Sequence, residues 1–202
     1  MADIRFEATR EFVRRWTDIK HGVHAPLRSA VDPRRIAAFL PRVFMVSAIE
    51  GQWAFSLAGT EFYDLYGGEL TGAPMSRMWG ENGYRVLRAS LQDAAHSCRP
   101  LLVHSLATTQ DDEAFAETVM LPLRSHADFA EVDRFIGLQT FGRGDTWWAG
   151  SRAVTGMYSV SASLITDEEA AWDMHRRGRE TPVLAGIRGR PSMVVYQGGA
   201  TA

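Results

Sequence analysis

Cysteine is almost missing from this chain, and Cys98 is the single example among 202 residues. One thiol cannot close an internal disulfide, and it is too few for a cysteine-based metal site. No stretch approaches the run of about 18 apolar residues that a membrane-spanning helix needs. Residues 1–5 include an acidic side chain and no apolar run follows them, which argues against a secretory signal. We therefore expect a cytoplasmic protein without membrane contact.

An excess of charge of either sign is also missing. The net charge is -2, and hydrophobic residues make up 46% of the chain against 23% charged. These values are typical of a globular protein, and the length suits one domain with flanking segments. No overall positive field would attract nucleic acid. The Arg-rich stretch 176–190 could contact phosphates, but we expect a solvated tail there and no nucleic-acid partner.

The short motifs of common enzymes do not occur. The sequence contains no Gly-x-Ser-x-Gly elbow around a serine nucleophile and no Gly-x-x-x-x-Gly-Lys phosphate loop. His21 and His24 have no Cys or carboxylate at a useful spacing beside them. The acidic run 111–113 is more typical of a polar turn than of a cation site. We predict no catalytic residues, no metal site and no enzyme activity, so any output must pass through a partner protein.

Two helices are predicted before the first strand. An apolar stripe recurs at helical spacing between residues 10 and 20, formed by Phe12, Val13, Trp16 and Ile19. This stripe could dock on its own domain or on a partner subunit. Asp32 followed by Pro33 predicts the N-cap and the first turn of a second, short helix.

Strand-like and helical segments then follow in an order that fits an α+β domain. Five runs rich in β-forming residues cover 43–49, 53–57, 101–108, 115–123 and 135–141. Short helical turns are expected between 60 and 79, and a long amphipathic helix over 82–97. The connections among the last three strands are too short for parallel crossovers, so we predict a five-stranded antiparallel sheet with helices on one face. The expected organisation is N-terminal helices in 1–41, a core in 42–145, and a loosely packed or partly disordered extension in 146–202.

The order of elements and several short motifs resemble those of the PAS domain superfamily. The chain is similar to a bacterial family of short, stand-alone PAS-like proteins over residues 16–145. The motifs that carry the resemblance are 26–33, 40–44, Leu57-Ala58-Gly59-Thr60-Glu61, Leu65 to Gly72, Trp79, 117–123 and 136–138. Their glycines suit a chain that leaves a strand, forms short helices and turns sharply over the sheet.

The resemblance implies a sensory or regulatory role in bacterial signal transduction, through small-ligand binding or protein-protein interaction. It implies no catalytic residues and names no cofactor. PAS domains frequently dimerise through an amphipathic helix outside the core, so the resemblance also implies a homodimer joined through Phe12 and Trp16. The Asn-Cys-Arg-Phe motif of light-sensing relatives is absent. His96, on the helix that supplies the haem ligand in some relatives, is expected at the surface.

The resemblance further implies a pocket between the short helices and the sheet, where PAS domains hold ligands. The predicted ligand-binding residues are Phe62, Tyr63, Tyr66, Met78, Trp79, Leu87, Leu91, Met120 and Leu138. One alternative is that these large side chains fill the core and bind nothing. Another is a small-molecule-binding carrier or enzyme that uses the same cavity, and an enzyme would need a buried acid or base facing it. Glu61, Glu69 and Glu117 are the carboxylates on suitable elements.

Overall fold

The architecture is a mixed α and β fold, seen in a computed structural model that describes residues 3–20, 22, 24–128, 130–143 and 153–166. Strands β1 to β6 span Val43–Ile49, Gln52–Ala58, Leu101–Thr108, Glu113–Leu123, Arg134–Phe141 and Gly156–Leu164. Helices α1 to α3 span Glu7–Ile19, Glu61–Tyr66 and Ser76–Ser97, and two 3-10 helices cover Arg28–Ala30 and Pro33–Arg42. The strands form one antiparallel sheet in the order β2-β1-β5-β4-β3-β6. No helix in the described ranges is long and apolar enough to cross a membrane.

The predicted α+β fold class is confirmed, and the strand count is corrected from five to six. β5 lies beside β1, so the last of the predicted strands joins the first hairpin. The additional strand, β6, pairs with β3 along its whole length. The sequence pattern hides it because Met157 alone of its nine residues is buried, and serine occupies three of the others. β6 falls within the predicted extension 146–202, whose residues from 167 onward, including the Arg-rich stretch, lie outside the described residues.

The inner face of the sheet packs against α2 and α3 and forms the main core. Its fully buried large side chains include Phe44, Phe62, Leu87, Leu91 and Met120. Gly67 takes the left-handed conformation, with φ 68°, that ends α2. Gly59 has no room for a side chain, because a Cβ there would lie 2.6 Å from the carbonyl carbon of Pro41. α3 is interrupted at Gly80, where φ is 67° and ψ is 166°, so its first turn is separate from the long helix predicted over 82–97.

The outer face of the sheet is covered by α1 and by the 3-10 helix Pro33–Arg42. Phe12 and Trp16 are only 2% and 3% exposed, in a second apolar cluster that also holds Leu121 and Leu138 of the sheet. The indole N–H of Trp16 donates to the carbonyl oxygen of Pro122 at 3.0 Å. The apolar stripe of α1 is therefore docked on its own domain. A homodimer through Phe12 and Trp16 would require α1 to leave the sheet first.

Candidate functional site

The structure brings together most of the residues predicted to bind a ligand. Those that meet in the inner core are Phe62, Tyr66, Met78, Trp79, Leu87, Leu91 and Met120. Tyr63 is 61% exposed, because Phe62, Leu65 and Tyr66 occupy the inward side of the short helix α2. Leu138 belongs to the outer cluster beneath α1. Neighbouring residues on a strand point to opposite faces, so Leu138 cannot share a pocket with the others while β5 keeps this register.

A small polar cluster lies inside this apolar core. The hydroxyl of Tyr66 donates to Oε1 of Gln139 at 2.9 Å, and Nε2 of Gln139 donates to the hydroxyl oxygen of Thr118 at 3.2 Å. The same Nε2 also lies 3.6 Å from Sδ of Met78 and 3.5 Å from Sδ of Met157. Burial raises the pKa of Tyr66 well above its ordinary value, against the opposing effect of its hydrogen bond with Gln139. Tyr66 therefore stays neutral and acts as a donor.

Gln139 also lines a narrow crevice. The crevice lies between the 3-10 helix, α2 and β5, and is lined by Arg42, Glu61, Phe62, Leu65, Gln139 and Phe141. Its space is too narrow to hold a water molecule. A ligand could reach the polar cluster by this route only if side chains such as Phe62 moved.

Sequence reasoning missed Gln139 and Thr118 because polar residues in a strand are usually taken to face solvent. A signal was nevertheless present in β5. Phe135 and Phe141 lie an even number of positions from Gln139, and all three face the inner core. Since alternate residues of a strand share a face, Gln139 had to lie with the aromatic residues once the core face of β5 was identified.

The three carboxylates considered for an enzyme occupy different places. Glu61 lines the crevice and is half-buried. Glu69 is exposed, and its carboxylate accepts the backbone N–H of Thr71 at 2.9 Å, a contact that lowers the pKa of Glu69. Glu117 is fully buried but lies on the outer face of the sheet, away from the crevice. Of these three side chains, Glu61 alone lies beside the crevice.

Glu117 holds the start of α1 against the sheet. Its carboxylate accepts the backbone N–H groups of Arg5 at 2.8 Å and of Phe6 at 3.2 Å. Nε2 of His104 lies 3.0 Å from the same carboxylate. On the other side of the ring, Nδ1 of His104 lies 3.4 Å from the hydroxyl oxygen of Ser161 on β6. We call Glu117, His104 and the two backbone N–H groups the α1 clamp.

Two further predictions concern metals and haem. Within the described residues, no three His, Cys, Asp or Glu side chains are grouped so as to hold a metal ion. His96 is exposed on α3, as expected for a solvated histidine. His21 lies outside the described residues.

Comparison with solved structures finds remote likenesses. A light-oxygen-voltage domain studied with a flavin analogue is 12% identical, with a TM-score of 0.43, covering 54% of this chain and 82% of its own. The LOV protein of Rhodobacter sphaeroides is 15% identical, with a TM-score of 0.39, covering 66% and 67%. The PAS domain of a Colwellia psychrerythraea protein is 13% identical, with a TM-score of 0.39, covering 54% and 93%. Likenesses this remote transfer no ligand to this chain.

Comparison at the level of sequence is decisive for the family. No curated protein matches the chain. The sequence profile described as "PAS domain" matches residues 4–140, which is more than half of the 202 residues and spans α1 through β5. The matched residues include helices α1 to α3 and nearly all of strands β1 to β5, and β6 lies beyond the match. The chain belongs to the PAS domain family.

Proposed function

We propose that this chain is a cytoplasmic, non-catalytic sensory module of bacterial signal transduction, which binds a small, mainly apolar ligand and signals through protein-protein contacts. The observation that carries the proposal is the position of Gln139. Its side chain lies in an apolar core, and it also lines the narrow crevice between the 3-10 helix, α2 and β5.

The chemistry of the polar cluster suits a ligand with a hydrogen-bond acceptor. Part of the donor capacity of Gln139 Nε2 is directed at the sulfur atoms of Met78 and Met157, which are weak acceptors. A carbonyl oxygen or ring nitrogen would be a stronger acceptor at that place. Methionine side chains are flexible and repack readily, so they can make room for a ligand of modest size. The predicted pocket residues in the inner core, Phe62 and Trp79 among them, would form its apolar walls.

The ligand signal would reach the surface through β5. Gln139 faces the polar cluster, and the next residue, Thr140, faces the opposite side of the sheet. There the hydroxyl oxygen of Thr140 lies 3.3 Å from that of Thr9 on α1. A ligand that shifts β5 would bias an equilibrium between docked and released α1. Released α1 would offer Phe12 and Trp16 to a partner, either another protein or a second copy in a homodimer.

Native mass spectrometry of the purified protein tests the ligand. We expect a bound small molecule on the wild-type chain, and we expect Gln139→Leu to lose it. Gln52→Leu, which changes an exposed glutamine on β2, is the matched control and should retain the molecule. The proposal would be contradicted if the wild-type protein had the mass of the polypeptide alone and if no metabolite changed its melting temperature.

The alternative is a carrier that uses the same cavity. A carrier would bind its ligand without moving α1, so hydrogen exchange at residues 5–19 distinguishes the two functions. Faster exchange there in the ligand-bound protein supports the sensor, and unchanged exchange supports the carrier. An enzyme receives less support, because Glu69 and Glu117 both accept backbone N–H groups away from the crevice.

A further inference from the structure

Three side chains on the outer face of the sheet form a hydrogen-bonded row, and the proposed function assigns no role to its exposed member, Ser161. Ser161 on β6 lies 3.4 Å from Nδ1 of His104 on β3, and Nε2 of His104 lies 3.0 Å from the carboxylate of Glu117 on β4. Ser161 is exposed, His104 is 7% exposed and Glu117 is fully buried. The row therefore runs from the surface to a buried anion.

The carboxylate of Glu117 favours one tautomer of the neutral His104 ring. A carboxylate only accepts hydrogen bonds, so Nε2 carries a hydrogen toward Glu117. In the neutral ring, Nδ1 is then the acceptor toward Ser161. Two backbone N–H groups also hold the carboxylate: that of Arg5 donates to Oε2, which His104 also contacts, and that of Phe6 donates to Oε1. A buried acid that orients a histidine, which in turn accepts from a serine hydroxyl, is the arrangement that activates serine nucleophiles.

The local backbone directs Ser161 toward this histidine. Pairing between β3 and β6 changes register between His104 and Ser105, and Val160 is left without a partner on β3. Such bulges re-aim side chains, and they occur often beside reactive sites. The Phe115 ring lies 5.1 Å from the His104 ring and provides an apolar surface next to the serine's acceptor. The distance of 3.4 Å between Oγ of Ser161 and Nδ1 of His104 is long for a hydrogen bond. Pairs of a nucleophile and its base are often this far apart before a substrate binds.

We propose that Ser161 is a nucleophilic serine that accepts an acyl group from an activated ester. Its oxygen attacks the carbonyl carbon, the new O–C bond forms as the bond to the leaving alcohol or phenol oxygen breaks, and the hydroxyl proton passes to Nδ1 of His104. That proton then leaves with the departing oxygen or with water. The product is one acylated serine per chain, a covalent modification rather than turnover, so the inference stands or fails independently of ligand binding in the core.

The experiment uses p-nitrophenyl acetate as the probe on the full chain. We expect a stoichiometric burst of p-nitrophenolate and one acetyl group, located at Ser161 by peptide mapping. Ser161→Ala should lose the burst and the adduct, whereas Ser163→Ala, a change of another serine on the same strand, should keep both. His104→Gln should slow acetylation by about 100-fold, the lower end of general-base effects.

Two results would overturn the inference. One is the absence of a burst from the folded wild-type chain. The other is an adduct that persists in Ser161→Ala, or that is spread over lysines and the chain terminus. Because Ser161 is exposed, its replacement by alanine does not endanger the fold, and that variant decides the question even if His104→Gln loosens the α1 clamp.

Discussion

The α1 clamp predicts that Glu117→Gln detaches the N-terminal helix. Gln keeps the shape of the side chain, but it turns one oxygen acceptor into an N–H donor. One of the two backbone N–H groups, of Arg5 or Phe6, would then face a donor instead of an acceptor. That change costs about 1–3 kcal/mol for a buried group. The remaining contacts, including the one from His104, lose their charge assistance, which is worth roughly half of each bond. The expected loss is about 2–4 kcal/mol in the free energy that holds α1 in place.

Two measurements check this expectation. Hydrogen exchange should accelerate at residues 5–19 in Glu117→Gln, while the amides that pair β1 with β5 keep their protection. Urea unfolding should show a smaller free energy of unfolding, provided that α1 unfolds together with the sheet. Glu113→Gln, an exposed change on the same strand, should behave as wild type in both assays. Exchange at residues 5–19 equal to wild type, or protection lost equally throughout the sheet, would refute the role of Glu117 as a local clamp.

Two other predictions concern stability. Gly59→Ala should lower the free energy of unfolding by about 1–3 kcal/mol or more in urea titration, because its Cβ would overlap main-chain atoms of Pro41 that cannot rotate away. An unchanged midpoint would contradict this steric conflict. Asp133→Asn should destabilise the protein at neutral pH and lose its effect in acid. Partial burial alone would raise the pKa of Asp133, but hydrogen bonds from Ser125 and Arg134 outweigh it and lower that pKa. A lowered pKa stabilises the fold only while the carboxyl is ionised, so the deficit of the variant should be full above about pH 3.9, the unfolded value, and shrink as the pH falls further. A deficit that is constant in urea titrations from pH 7 to acid would contradict the assignment.

Much of the fold could be predicted from local chemistry. Asp32 does cap the helix that Pro33 begins, with its carboxylate accepting the backbone N–H of Arg34 at 2.9 Å. The stripe of Phe12 and Trp16 does form one face of a helix. Such features depend on residues a few positions apart, which spacing and capping chemistry specify.

Other features depend on contacts between distant residues, and spacing says nothing about them. The sequence left open whether α1 would dock on its own domain or on a partner, because an apolar stripe suits either surface. The sequence pattern did not assign the core face of β5. For that reason the predicted pocket includes Leu138, which faces the outer side, and omits its neighbour Gln139, which faces the core. The hydrophobic pattern does not reveal β6, because an edge strand that is largely exposed to solvent needs few apolar residues.

The docking of α1 on β4 also has a consequence for how the polypeptide is made. Arg5 and Glu117, which meet in the finished fold, are 112 positions apart in the chain. At common rates of synthesis, roughly 6 to 22 s pass between the emergence of the first and of the second. Throughout that interval the apolar face of α1 lacks the strand β4 on which it docks. That face is therefore accessible to chaperones and to neighbouring nascent chains on the same mRNA. A chain that ends before β4 would leave the apolar face of α1 without its docking surface. We expect such truncated chains to aggregate more than the full chain.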